Sequence, residues 1–447
     1  MREKRTIQPS IFEIYPEHDI GRELKAMSKL LDAHPDLLDW VAADIKDRQP
    51  KATGRKGLSV DTVLRCAILK QYRQLSYEEL VFCLMDSSAY QAFARLCGTW
   101  VPKKSALQRC ISAISAVTWE QINLQLLEDA RQDKIENSKM LRIDSTVTES
   151  TIHDPTDGRL LWDSVRVLIR LMEAAQDLPG APELTWQNHQ RVAKKRMRAI
   201  IYTRGADKKA RLYRDLIKVT RNSLCYVEQA DLALRCSGID SGYAEWSAQV
   251  AHYQPLIEKV IEQAERRVFQ GEKVPANEKI VSLFEEHTDI IVKGHRDIQY
   301  GHKLNLSTGR SGLILDVVVE KGNPADSAQF LPMLERHIEH FGVAPRQMAA
   351  DGGYASTDNL QAAKALQVKD VVFHKKRGLK VEDMAQSPWV YRKLRNFRAG
   401  IEAGISCLKR AYGLSRCTWK GWAHFEAYVW SSVVAHNLAL FGRLKST

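Results

Sequence analysis

The chain has 447 residues, enough for two or three domains that each bury a core. Its 66 Lys and Arg against 54 Asp and Glu leave a formal net charge of +12 and a pI near 9.2, which favours a polyanionic partner and leaves DNA, RNA or an anionic membrane surface open. No apolar run approaches the roughly 20 residues a bilayer helix needs and no signal-type apolar core follows the basic start, so a cytoplasmic protein without a membrane partner is expected. The eight cysteines never form a C-x-x-C pair and read as reduced packing residues, with no zinc site.

In chain order, residues 1–138 read as helical, with apolar residues at helical spacing in Val63, Leu64, Ala67 and again in Leu80, Val81, Leu84. A basic loop, Lys51-x-x-x-Arg55-Lys56, precedes them. Pro102-Lys103-Lys104-Ser105 opens a further helix with Leu107, Cys110 and Ile111 on one face, and Lys103 and Lys104 make it a candidate DNA-recognition helix; an ordinary bundle with solvated lysines explains the same pattern equally well. A short apolar strand, Met140 to Ile143, then delivers Asp144, after which the strand pattern stops.

The chain next returns to long helical segments, about 206–234 and 243–269, inside a large insertion placed at 161–274. Between Arg191 and Arg221 it is dense in Lys and Arg, including Lys194, Lys195 and Arg196, with only Asp207 and Asp215 opposing. That density suits a phosphate-binding surface, against the alternative of a solvated helical face. Glu149, His153, Asp154 and Asp157 read as loop residues around the Pro155-Thr156-Asp157-Gly158 turn. Asp289 is the strongest rival ligand among the remaining acids, and it is left out.

From about Tyr300 the pattern turns to strands: His302 to Ser307, a turn at 308–312, then Leu313 to Val319, which together describe a hairpin. A helix follows Asn323-Pro324-Ala325. The strand Met348-Ala349-Ala350 ends at Asp351 and the tight turn Gly352-Gly353-Tyr354; a helix at about 357–366, the strand Asp370 to His374 and a helix holding Glu402 complete the series. This alternation argues for an α/β layer with a central sheet, carrying its acids on the first strand, after the fourth and on the last helix. At 100° per residue Arg398, Glu402 and Lys409 fall within roughly 40° of each other beside the apolar stripe of Leu394, Phe397, Ile401, Ile405 and Leu408. Glu402 therefore sits at the edge of a buried face, although an i, i+4 ion pair with Arg398 explains it as well. Three carboxylates so placed suit hard divalent cations, Mg²⁺ or Mn²⁺, of the kind that drive in-line displacement at phosphorus. His302 and Lys303 at a strand end, and Trp419 and Trp422 near the terminal helix, could touch DNA; strand-end and core-packing roles are the commoner explanations.

The combination of Leu141-Arg142-Ile143-Asp144-Ser145-Thr146, Ala349-Ala350-Asp351-Gly352-Gly353-Tyr354 and Arg398-x3-Glu402-x6-Lys409 resembles the DDE-type transposases of bacterial insertion sequences. The resemblance covers most of the chain and implies a ribonuclease H-like catalytic core (139–160 and 275–415), a large all-helical basic insertion (161–274), a helical N-terminal DNA-binding domain (1–138) and a C-terminal helical segment (416–447). It implies Asp144, Asp351 and Glu402 as catalytic ligands of two Mg²⁺ or Mn²⁺ ions, with Arg398 and Lys409 beside Glu402 as positioning or DNA-contacting residues. It also implies double-stranded DNA as partner, both inverted-repeat ends and target, a homodimer or higher oligomer on DNA, and a nucleoid-associated bacterial location. Two departures stand out: Arg395 occupies a position where the family often has tyrosine, and the insertion follows the first acid, whereas many relatives place theirs between the second acid and the glutamate. A metal-dependent nuclease without joining activity, or an inactive transposase-derived DNA-binding protein, are the alternatives.

Overall fold

The structure is a computed structural model that describes residues 18–45, 57–96, 100–238, 241–293, 297–375 and 377–446. The basic loop Lys51-x-x-x-Arg55-Lys56 and Lys376 lie outside the described residues. The chain packs as two compact units, residues 1–151 with 301–447, and residues 152–300.

The first unit is built on a twisted sheet. Strand β1 (Met140–Glu149) pairs antiparallel with β3 (Asp297–Thr308), Arg142 facing Thr308 and Glu149 facing Gly301. On the far edge of β3 lies β4 (Ile314–Val319), also antiparallel, with a register shift between Ser307 and Thr308. On its other side β1 pairs in parallel with β5 (Gln347–Ala350), which pairs in parallel with β6 (Asp370–Phe373). The order β4-β3-β1-β5-β6 thus joins an antiparallel meander to two parallel strands, and each parallel step is reached through a helix, as parallel strands require. A further strand, β2 (Asp289–Lys293), precedes β3, so Asp351 follows the fifth strand of the chain and not the fourth. β1 also runs five residues beyond Asp144, because Ser145 to Glu149 complete its ladder with β3; Glu149 is a strand residue and not part of a loop.

Helices α1 (Asp19–Asp32), α2 (Leu37–Asp44), α3 (Val60–Tyr72), α4 (Tyr77–Asp86), α5 (Ser88–Phe93), α6 (Lys104–Ile111) and α7 (Ala116–Gln132) precede the sheet. α12 (Asp326–Phe341), α13 (Thr357–Ala365), α14 (Val381–Met384), α15 (Pro388–Ala411) and α16 (Trp422–Ser446) follow or connect its strands. α16 carries buried Phe425, Val429, Val433 and Phe441 and packs on α7, α1 and α3. One continuous apolar core therefore runs from Leu24 through Leu141, Ile143 and Val371 to Phe441, and the N-terminal helices and terminal helix share it with the sheet. Residues far apart in sequence close it: Asn437 bonds the Ile314 backbone at both its N–H and C=O and also reaches Asn123.

The second unit holds four long helices, α8 (Asp157–Gln176), α9 (Gln190–Tyr202), α10 (Ala206–Cys236) and α11 (Tyr243–Val268), around a separate core of Leu161, Leu168, Val227 and Ile257. Its packing boundaries are wider than 161–274. α8 already opens at Asp157, capped by Thr156, and Asp157 takes a two-pronged ion pair from Arg267 at 2.9 Å, so Asp157 is a helix-start residue and not a loop acid. At the other end Ile280 and Leu283 pack into the same core, with Gln263 bonding both backbone groups of Ile280.

Candidate functional site

The strand register brings the first two acids together. Ile143 pairs with Ala350 on the neighbouring parallel strand, and Asp144 and Asp351 are the next residue on each. Asp351 follows β5 and stands at the N-cap position of a short 3₁₀ turn, Gly352–Tyr354. A side chain at Gly352 would stand 2.6 Å from Cβ of Lys375, so the close approach of the segment after β6 requires glycine there. Tyr354 then turns inward, fully buried, and its hydroxyl donates to Asn305 at 2.6 Å, whose amide donates to Glu320 at 2.6 Å. The turn bearing Asp351 is thereby tied to β3 beneath it.

The third acid comes from α15. Ser387 caps this helix and Pro388 opens it, after which Tyr391, Leu394, Ile401 and Leu408 bury one face against β1, β5 and β6. Arg398 lies on that face, 9% exposed, and its guanidinium meets all three acids: Nη1 is 3.5 Å from Asp144 and 3.5 Å from Asp351, and Nη2 is 2.6 Å from Glu402. The side chains grade from anchored to open, with Asp144 16% exposed, Asp351 42% and Glu402 59%. Burial pushes the Asp144 carboxyl up to about 6; its hydrogen bond from the Ser145 N–H and the Arg398 charge oppose that rise, while Asp351 and Glu402 add to it.

The donor set suits a hard divalent cation, since it consists of carboxylate oxygens gathered about one positive charge. Among the described residues no three acid, histidine or cysteine side chains converge closely enough to enclose an ion in this conformation, where Arg398 stands between the carboxylates.

The other expected residues are spread more widely. Lys409, two turns beyond Glu402, lines a cavity together with Lys104 and Lys70. Lys103 is the N-cap of α6 and Lys104 its first residue; both are exposed, while Leu107, Cys110 and Ile111 are buried, and Lys104 pairs with Glu78 at 3.0 Å. In the second unit Lys194 and Lys195 are exposed on α9, Lys194 lying 5.8 Å from the Trp162 ring centre, whereas Arg196 is paired with Asp215. Lys303 and His302 are buried: Lys303 is held by Asp326 and the Pro324 carbonyl, and His302 stands edge-on to Trp422 and Phe425. Trp419 is buried, edge-on to Tyr428. Asp289 lies at the start of β2, in the second unit.

Sequence reading missed Arg142. On β1 two residues before Asp144, it donates to the Phe397 carbonyl at 2.7 Å and the Thr308 hydroxyl at 2.6 Å, with its guanidinium 4.5 Å from the Phe397 ring centre. The one signal was a charged residue inside an otherwise apolar strand.

Two family models match the chain. One described as "Transposase DDE domain" covers residues 293–438, which include Asp351, Arg398, Glu402 and Lys409 but not Asp144. One described as "Transposase domain (DUF772)" covers residues 16–113, the span of α1 to α6. No curated protein and no solved structure matched.

Proposed function

Because the chain belongs to the DDE-type transposases of insertion sequences and its sheet is the ribonuclease H-like core of that family, we propose that it binds the ends of its element and carries out metal-dependent cleavage and strand transfer through Asp144, Asp351 and Glu402. The observation that carries this reading is the convergence of three acids, from two adjacent parallel strands and one helix, on the single guanidinium of Arg398. The first acid lies outside the matched span; its support is the β1–β5 pairing of Ile143 with Ala350 and the contact of Arg398 with both Asp144 and Asp351.

Both reactions are in-line displacements at phosphorus. In the first, the oxygen of water attacks, and the 3′-oxygen of the element's end leaves and takes up a proton. In the second, that 3′-hydroxyl attacks a target phosphodiester, joining the strands as the target's own 3′-oxygen departs. Two Mg²⁺ or Mn²⁺ ions held by the three carboxylates would activate the entering oxygen and neutralise the leaving one. The chain's own residues prepare for this. β1 and β5 fix two carboxylates on a rigid layer, α15 brings the third to the solvent edge, and Arg398 holds them in one place against mutual repulsion. Exposed Lys103 and Lys104 on α6, and Lys194 and Lys195 on α9, would contact DNA phosphates, with Lys409 nearer the acids in sequence. A homodimer or larger assembly follows from the need to hold two ends together, and in the cell the protein would sit on the nucleoid.

The test is incubation of the purified protein with labelled DNA carrying the inverted-repeat ends, with and without Mg²⁺, beside Asp351→Asn. Metal-dependent 3′ nicking and joined products, both lost in the variant, are expected. Nicking without joining would make the protein a nuclease instead, and DNA binding with neither reaction would mark it as an inactive derivative.

A further inference from the structure

Within the first unit, a cavity of about 740 Å³ opens between α3, α4 and α6 on one side and the end of α15 with the segment leading to α16 on the other. Its lining carries the cations Lys70, Lys104, Lys409, Arg416 and Lys420 against the acids Glu78 and Glu79. Lys70, only 4% exposed, has its ammonium 5.0 Å from the ring centre of Tyr77 and 5.9 Å from that of Trp419, and makes no hydrogen bond or ion pair among the described residues. The Tyr77 hydroxyl and the Trp419 indole N–H, of residues on the same wall, are buried without hydrogen-bond partners among the described residues, and Trp419 is 8% exposed.

Two acids line the cavity, and the charge of Glu79 also acts on the Lys70 ammonium, partly offsetting its burial. Glu79 accepts from the Ser76 N–H in a capping box, and Glu78 pairs with Lys104. Arg416 and Lys420 add positive charge to the same wall. A buried ammonium with two orphaned donors beside it is costly unless something anionic completes it, and burial already draws the Lys70 ammonium down to about 8. Lys409 on the cavity wall lies two turns, about 10 Å, along α15 from Glu402, within reach of one DNA strand held at the acids.

We propose that this cavity is a phosphate site, in which Lys70, Tyr77 and Trp419 together receive a backbone phosphate of the bound DNA strand. It rests on the transposase reading above and adds to it a contact shared by the two segments that the family models match.

The experiment is fluorescence anisotropy of the full chain with end-bearing duplex DNA over a range of KCl concentrations. Lys70→Met keeps the stem and removes the charge, Trp419→Phe keeps a ring and removes the N–H, and Lys25→Met, on an exposed face of α1, is the control. Lys70→Met is expected to bind about 3–10-fold more weakly and to flatten the slope of log K against log salt by about 0.9, the loss of one phosphate contact. Trp419→Phe should also weaken binding several-fold, with Lys25→Met unchanged and the melting temperatures of Lys70→Met and Trp419→Phe not lowered. Natural affinity and slope in both Lys70→Met and Trp419→Phe overturns the proposal while leaving the transposase reading intact. Failure of the natural chain to bind DNA at all overturns both. A melting temperature raised by inorganic phosphate in the natural chain and not in Lys70→Met, with equal DNA binding by the two, would make the cavity a site for a free anion and overturn the assignment to DNA.

Discussion

Asp144 is a carboxylate kept where a charge is costly, and its cost has a definite pH signature. Its pKa rises from an ordinary 3.8 to about 6 on folding, so between those values the folded chain holds more protons than the unfolded one, and stability falls as pH rises through that window. Above it the penalty is complete, about 1–3 kcal/mol. Asp144→Asn should therefore raise the melting temperature of metal-free protein by a few degrees at pH 7.5 and give no gain at pH 4, as read by thermal unfolding in the presence of a chelator. The comparison must be with the natural chain at each pH. Buried His337 and His436, both drawn down to about 4 by burial, impose the opposite trend, losing stability as pH falls below 6.5. Arg398 is the counterpart of Asp144: Arg398→Met leaves three carboxylates facing one another, with an expected loss of about 1–3 kcal/mol in urea unfolding of the metal-free protein.

α15 must lie at one height on the sheet for Arg398 to reach all three acids, and Arg142 sets that height. Its bonds to the Phe397 carbonyl and Thr308 hydroxyl clamp the helix to β1 and β3 immediately before Arg398. Gly400 leaves the room that this requires, since a Cβ there would stand 2.1 Å from Nη1 of Arg142. Gly400→Ala should cost about 1–3 kcal/mol in urea unfolding even though alanine is the better helix former, and should slow end cleavage by displacing Glu402. Combining it with Arg142→Ala should recover part of the loss, a coupling that a double-mutant cycle measures; strict additivity would refute the clamp.

The described residues form two separate cores, and that organisation is open to calorimetry. The helical unit of residues 152–300 buries its own apolar residues, so the full chain should unfold in two resolved heat-absorption steps, and a single step would mean that the units melt as one. The same unit carries exposed Lys194 and Lys195. If they contact DNA phosphates, their joint replacement by Gln should reduce the salt slope of binding by about 2 while leaving thermal stability within about 0.5 kcal/mol.

Periodicity and turn chemistry alone determined the strand–helix alternation and the helical run after the first acid, because short apolar strands and a striped helix leave a signal within a few residues. Glu402 was legible as an edge residue of α15, and the glycine pair after Asp351 as a tight turn. The β1–β5 register was not legible in the same way, nor was the common core of the N-terminal and last helices, since both arise from contacts between residues hundreds of positions apart. The run of β1 past Asp144 was hidden because Ser145 to Glu149 are polar residues made strand-like by pairing with β3. Only the tertiary structure could decide that Arg398 serves three carboxylates and not one, or that the Lys70 ammonium lies buried against the rings of Tyr77 and Trp419. A side chain's charge is written in the sequence, but its neighbours are chosen by the packing of distant elements.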